Sequence, residues 1–436
     1  MRISKTEESA TRLKLLITAD QFDLTPIKDH VLKHFASKVK VPGFRVGTAP
    51  VALIEKHVDQ RALADEFIEH ALNSLYGRAI DQEKLRPASR PEVHLKKFVP
   101  FTDLEFEAEL EIIGPIKLPD YKKIKLVKKP VEIRAEEISS VIESLRLRLA
   151  DRKAVERAAK DGDEVVIDFE GKDKMGDPIA GADGKDYPLM LGGATHQTVR
   201  SSGKFIPGFE ENLIGTKAGG KYDFTITFPN DYGAVGLRNK EVTFTVGVKK
   251  VNEVTRPKLD DAFAAKVGLF KTMADLEADI KKQLKAEKQM PADREYENEL
   301  IIQISEKTEV EVPKSLVDEQ IARGEEDEKR DLAYRGQTWQ EHLDAEGITA
   351  EGHFERQRPE AQQRVKAGLV LSEIAERENI FVTPEELEIR IQILKGQYQD
   401  PQMQAELDKP ENQREIAARL MTEKTVARLV EFAQKS

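Results

Sequence analysis

No cysteine occurs in the 436 residues, which excludes disulfides, thiolate catalysis and cysteine-ligated zinc or iron–sulfur centres. No run approaches the ~18 apolar residues that a membrane span needs. The opening residues, Met1-Arg2-Ile3-Ser4-Lys5-Thr6-Glu7-Glu8, contain no apolar stretch of the secretory kind, so a cytoplasmic location is expected. A phosphate-cradling GxxxxGK loop is missing too, so ATP-driven work is not expected, and no cofactor is assigned. Tryptophan is nearly absent: Trp339 is the only one, and its expected role is to anchor a helix.

What is present is charge. Charged residues make up 34% of the chain against 39% hydrophobic, a balance that suits modest cores and much solvated helix surface. The length predicts about three domains. A net charge of -10 argues against a general nucleic-acid binder but leaves room for a local basic patch.

Along the chain, Leu13 to Ile17 reads as a strand, and Phe22 to Lys40 places Ile27, Val31, Leu32 and Phe35 at helical spacing. A second helix is expected from about Pro50 to Leu85. Leu104 to Ile112 alternates apolar and acidic residues, the pattern of a half-exposed strand. Ile138, Val141, Ile142, Leu145 and Leu149 then mark a connector helix over Ala135 to Ala150. From Asp161 to Val251 the period changes to that of strands, at Val165–Phe169, Tyr187–Leu191, Tyr222–Phe228 and Val242–Val246, with Gly, Pro and Asn between them. After Pro257 the pattern is helical to the end. There a helix, a short extended piece and a new helix beginning near proline occur twice, around Pro313 and Pro384, which suggests two helical arms. Thr383-Pro384-Glu385-Glu386 fits a capping box, with Thr383 as N-cap.

Two segments carry candidate chemistry. Lys38 to Pro50 joins two helices and sets Phe44 and Arg45 between glycines and prolines, a stacking face beside a bidentate phosphate ligand. Lys28 to Arg61 holds seven Lys or Arg against three Asp or Glu. The same residues also suit an ordinary helix–helix turn with solvated lysines. In the middle segment, Phe169, Tyr187, Phe205, Ile206, Phe209, Tyr232 and Phe244 could form an aromatic bowl or simply the core of a β-domain. A bowl of that kind suits X-Pro isomerisation. The barrier of ~18–20 kcal/mol is amide resonance, and a dry cavity that holds the peptide twisted lowers it without acid, base or nucleophile.

The order of motifs across this segment resembles the FKBP-type peptidyl-prolyl isomerase pattern. It runs from Gly162–Gly171 through Leu191-Gly192, Phe205-Ile206-Pro207-Gly208-Phe209-Glu210 and Phe228-Pro229 with Tyr232-Gly233 to Val242-Thr243-Phe244. The resemblance implies that the seven residues named above line a prolyl pocket and that the Ile206 backbone N–H holds the substrate carbonyl. Two departures stand out: Ile179-Ala180 replaces an aromatic–acidic pair at the rim, and residues 193–204 form a longer insert.

Over its full length the chain resembles the trigger factor family of bacterial ribosome-associated chaperones. The matches include Gly43-Phe44-Arg45 with Gly47 and Pro50, Ser74-Leu75-Tyr76, Phe106-Glu107-Ala108, the middle domain, and Arg358-Pro359-Glu360-Ala361 through Leu371. This resemblance implies an elongated α+β multidomain protein. It comprises an α/β ribosome-docking domain (1–113), an extended linker and connector helix (114–156), an FKBP-like β-sheet domain (157–252) and an all-α substrate-holding domain with two arms (253–436). It further implies ATP-independent holding of nascent and unfolded polypeptides, and docking on the large ribosomal subunit, protein and rRNA, near the exit tunnel. Gly43, Phe44, Arg45 and Val46 would make that contact, although Val46 and Thr48 stand where the family often has basic residues. No membrane and no DNA partner are implied; the free protein is expected as monomer or homodimer. The alternative is a peptide-binding chaperone whose FKBP-like domain turns over little or nothing, and a third reading is a periplasmic chaperone-isomerase.

His30 and His34 lie one helical turn apart, but no third metal ligand is visible at a useful spacing, so no metal is assigned. Glu325 to Arg330 is expected as an exposed charged helix face.

Overall fold

Strand alternation organises the first part of the chain. Strands β1 (Arg2–Glu7), β2 (Arg12–Asp20), β3 (Glu92–Val99) and β4 (Asp103–Glu111) form an antiparallel sheet in the order β1-β2-β4-β3. The register sets Leu13 opposite Leu110, Leu15 opposite Ala108, Ile17 opposite Phe106 and Ala19 opposite Leu104, so the apolar residues of the two central strands, Leu16 excepted, point to one face. Helices α1 (Gln21–Ala36) and α3 (Gln60–Glu83) cover that face, α3 through Phe67, Ala71, Leu75 and Ala79 at four-residue spacing. Full burial of side chains as large as Leu or Phe contributes ~1.5–3 kcal/mol each. Asp20 starts α1 by accepting the backbone N–H of Phe22 at 2.9 Å. The single helix expected from Pro50 to Leu85 is two, α2 (Val51–His57) and α3. Val58 is extended, and the Asp59 carboxylate accepts the N–H groups of Arg61 and Ala62, so a capping residue restarts the helix where periodicity alone ran on.

The computed structural model describes residues 1–36, 39, 42, 44–45, 50–192, 208–230 and 237–435, except for the side chains at 51, 52 and 180. Within it the chain forms two units, Met1–Lys128 with Glu295–Ser436, and Lys129–Arg294.

The second unit begins with α4 (Ala135–Arg148), the expected connector helix, and continues with strands β5 (Asp151–Ala154), β6 (Glu164–Lys172), β7 (Pro178–Met190), β8 (Lys221–Thr227) and β9 (Glu241–Thr255). One edge of β9 pairs with β6; its other edge pairs first with β8 and then with β5. β7 completes the antiparallel sheet beside β6. Helix α4 is more than a connector. With α5 (Asp261–Val267) and the start of α6 (Met273–Lys307) it closes a small core around Ile142, Phe263, Leu276 and Ile280.

The remaining helices return to the first unit. Helices α7 (Lys314–Tyr334) and α9 (Ala350–Arg377) pack through Val317, Ile321 and Ala361, with the short α8 (Trp339–Glu346) between them in sequence. Then come α10 (Pro384–Lys395), α11 (Pro401–Glu406) and α12 (Pro410–Lys435). The capping box at Thr383 and Glu386 is present as the sequence predicts. A strap of irregular chain carries Tyr121 and Ile124 into the core formed by Leu300, Ile304, Ile374 and Leu429. The Tyr121 hydroxyl donates to Glu378 at 2.7 Å; burial, reinforced by that carboxylate, pushes its pKa up to about 12. Arg86 bonds Glu373 at 3.0 Å and Glu111 accepts the Ser315 N–H at 2.8 Å, joining the sheet to the helices.

Candidate aromatic site and docking loop

Four of the seven expected pocket residues come together, each from a different part of the second unit: Phe169 on β6, Tyr187 on β7, Phe209 in the turn before a short 3-10 helix, and Phe244 on β9. Phe209 meets Phe169 at a centroid distance of 5.9 Å, and Phe169 meets Tyr187 at 6.0 Å, both edge-on. Phe209 and Phe244 are buried, whereas Phe169 and Tyr187 are only partly so. The buried pair belongs to the domain core, and the other two pack against it and reach the surface. Phe205, Ile206 and Tyr232 lie outside the described residues, as does the 193–204 insert.

Glycine makes room for these rings. A Cβ on Gly184 would stand 2.6 Å from Phe169, and one on Gly171 would stand 2.9 Å from Phe244. Both are strand positions where a side chain would push a ring out of the cluster. Phe224, on β8, joins the cluster although it is not among the seven expected residues. It meets Phe209 edge-on at 5.1 Å. Its signal was the alternation Tyr222, Phe224, Ile226, Phe228, which puts Phe224 on the buried face of its strand.

The surroundings are charged. Lys249 bridges Asp168 at 2.8 Å and Asp186 at 2.7 Å, and this ammonium, hydrogen-bonded to Asp168, holds the Asp168 carboxyl below its ordinary range. Glu210, next to Phe209, behaves oppositely: burial raises its pKa although it accepts the Gly192 N–H. Ile179 packs against the domain core, an aliphatic side chain where the resemblance expects an aromatic.

In the first unit, Phe44 is 42% exposed and Arg45 is exposed, between α1 and α2. Gly43 and Val46 lie outside the described residues. Of the His30–His34 pair, His34 alone meets further ligand-type side chains in the structure. Glu66 and His70, one turn apart on α3, reach His34, with ligand atoms of the three residues within 4.8 Å of one another. The run at Glu325 is not wholly an exposed face either, because Glu325 and Glu328 turn inward, half-buried, toward α8 and α9.

Residues 1–145 match the family described as bacterial trigger factor protein, residues 272–431 its C-terminus, and residues 155–249 the FKBP-type peptidyl-prolyl cis-trans isomerase. The trigger factor of Carboxydothermus hydrogenoformans is 32% identical over 435 residues, covering 100% of both chains. The chain belongs to the trigger factor family. The trigger factor of Caldicellulosiruptor bescii is 34% identical over 397 residues, 91% of this chain and 88% of that one. A solved trigger factor chaperone, described for promiscuous substrate recognition in folding and assembly activities, aligns at a TM-score of 0.52 and 19% identity over 99% of each chain. That likeness is one of fold. As in the family, this is a chaperone of α+β build with an FKBP-type peptidyl-prolyl isomerase domain in the middle and a helical C-terminal region.

Proposed function

We propose that the protein is an ATP-independent cytoplasmic chaperone that docks on the large ribosomal subunit near the exit tunnel, holds nascent and unfolded polypeptides, and isomerises their X-Pro bonds. The observation that carries the isomerase part is the partly exposed pair Phe169 and Tyr187 packed against the buried core that holds Phe209 and Phe244. An X-Pro segment seated there loses water on one side and meets rings on the other, which favours the twisted amide over the charge-separated planar form. Phe205, Ile206 and Tyr232 would complete the lining, and the Ile206 N–H would hold the carbonyl. The test is a protease-coupled assay on a proline tetrapeptide. Turnover by the intact chain that falls in Phe169→Leu supports the reading.

Docking would run through residues 43–50, with Phe44 stacking and Arg45 on phosphate. The division into 1–113, 114–156, 157–252 and 253–436 is proposed with it. The holding surface would use apolar side chains that the helices leave outside. Ile389 and Ile393, one turn apart on α10, are 61% and 55% exposed, and Phe381 just before them is 66% exposed. Such a patch on a charged helical protein marks an interaction site.

A second reading keeps the peptide binding and drops the turnover. Ile179, packed on the core where the family's aromatic rim residue would stand and followed by Ala180 in place of the acid, favours it. Background rates from the intact chain in the same assay would select it.

A further inference from the structure

Three helices of the C-terminal region aim metal-ligating atoms at one another. Glu328 comes from α7, His342 from α8 and His353 from α9, and their ligand atoms lie within 4.8 Å of one another. We propose that these three residues bind one divalent transition-metal ion of the Zn2+ class, which fastens α8 to the α7–α9 pair.

The spacing suits such an ion. Bonds of about 2.0–2.1 Å at tetrahedral angles separate ligand atoms by about 3.3 Å. Here His342 Nε2 stands 3.2 Å from one Glu328 oxygen and His353 Nε2 stands 3.4 Å from the other. Those distances do not serve hydrogen bonding at His342, whose Nε2 is enclosed and has no hydrogen-bond partner. His353 is 1% exposed, so water does not serve its ring. An ion at the shared centre accepts all three lone pairs.

The outer partners fit as well. Glu325 Oε1 faces His353 Nδ1 at 3.3 Å, which holds the proton on Nδ1 and directs the Nε2 lone pair to Glu328. The Gln357 amide nitrogen, one turn along α9 and 3.4 Å from His353 Nε2, is a donor that an ion at that lone pair would displace. Glu346 Oε1 stands 3.6 Å from His342 Nε2 at the edge of the set, while its other oxygen bonds Arg356 at 2.6 Å. Two imidazoles and a carboxylate with no thiolate select Zn2+, Co2+ or Ni2+ over Mg2+ and Ca2+, which take oxygen sets.

Trp339 makes the site readable. It is the sole tryptophan, and its ring lies 4.8 Å from the His353 ring and 5.6 Å from that of His342. The experiment uses the untagged full chain, stripped with chelator, in a His34→Gln, His70→Gln background that disables the cluster near α1. Zn2+ is titrated by calorimetry and Co2+ by visible absorption and Trp339 fluorescence. We expect one Zn2+ per chain, tetrahedral Co2+ absorption, and quenching of Trp339 by Co2+. His342→Gln and Glu328→Gln, both at partly exposed positions, should each weaken binding by at least about tenfold and abolish the quenching, with helical circular dichroism unchanged. Equal stoichiometry and affinity in the background chain and both variants would overturn the proposal. So would the absence of any Zn2+ uptake by the background chain in several-fold excess of metal.

Discussion

The ring of Phe209 meets the ring of Phe244 edge-on, with centroids 5.2 Å apart and planes at 84°. Both are buried, so this pair belongs as much to the core of the domain as to its site. Phe209→Ala would remove ~3–5 kcal/mol of packing and lower activity by unfolding. The informative change is Phe169→Leu, at a partly exposed ring. It should cut kcat/KM on a proline tetrapeptide by about tenfold, roughly 1.4 kcal/mol of transition-state stabilisation, with a far smaller shift in Tm than Phe209→Ala produces. Equal losses of stability in both variants would remove Phe169 from the site.

For the loop between α1 and α2, the double variant Phe44→Ala, Arg45→Ala should no longer co-sediment with ribosomes, while its thermal melt stays that of the parent. In the parent, binding should fall steeply across a salt series, because contacts to RNA phosphates release counterions. Undiminished ribosome binding by the double variant would defeat the assignment.

Ile389→Ser with Ile393→Ser tests the holding surface. Both residues face outward, so stability should change by no more than ~0.5 kcal/mol. Suppression of aggregation of a chemically unfolded client, followed by light scattering, should weaken. Unaltered suppression would move the holding surface elsewhere.

Asp163 gives the second unit an acid-sensitive anchor. Arg157 donates to both its oxygens, and the Lys160 N–H reaches it at 2.8 Å. The hydrogen bonds from Arg157 outweigh its burial and lower its pKa. A depressed folded pKa stabilises above the unfolded value of about 3.9, and that contribution is lost as pH falls through the folded value. Asp163→Asn should cost ~1–3 kcal/mol at neutral pH and flatten the acid limb of stability against pH. Urea unfolding measured from neutral pH down to about pH 2 checks both; an unchanged acid limb would assign the sensitivity to another carboxylate.

Much of this architecture was legible in sequence where one face of an element is buried. The β2 and β4 strands alternate because their partners bury the same register, α4 carries a full apolar stripe, and the Thr383 capping box is a local motif. The edge strands were not legible. β1 and β3 are almost wholly exposed, so no buried face imposed alternation on them. The break at Val58 and Asp59 was missed because an N-cap interrupts a helix without disturbing its apolar spacing. In the aromatic site, six rings were named from a motif; alternation along β8 marks Phe224 as inward-facing, but its meeting with Phe209 exists only once the strands pair. The same reason hid the histidine clusters. His34 meets ligands from α3, and Glu328, His342 and His353 sit on three separate helices, so each set exists only after helices pack.

The strap holding Tyr121 has a consequence for how this chain is made. The sheet from β1 to β4 has all its strands by Glu111, yet the partner of Tyr121, Glu378, is 257 positions further along. At ~5–20 residues per second of synthesis, the interval between them is on the order of ten to fifty seconds. Until Leu300 and Ile304 are made, Tyr121 and Ile124 trail behind a finished sheet with none of their core partners yet built, and the set stays incomplete to the end of the interval. During its own birth the growing chain therefore offers the kind of apolar stretch that a completed copy is proposed to hold.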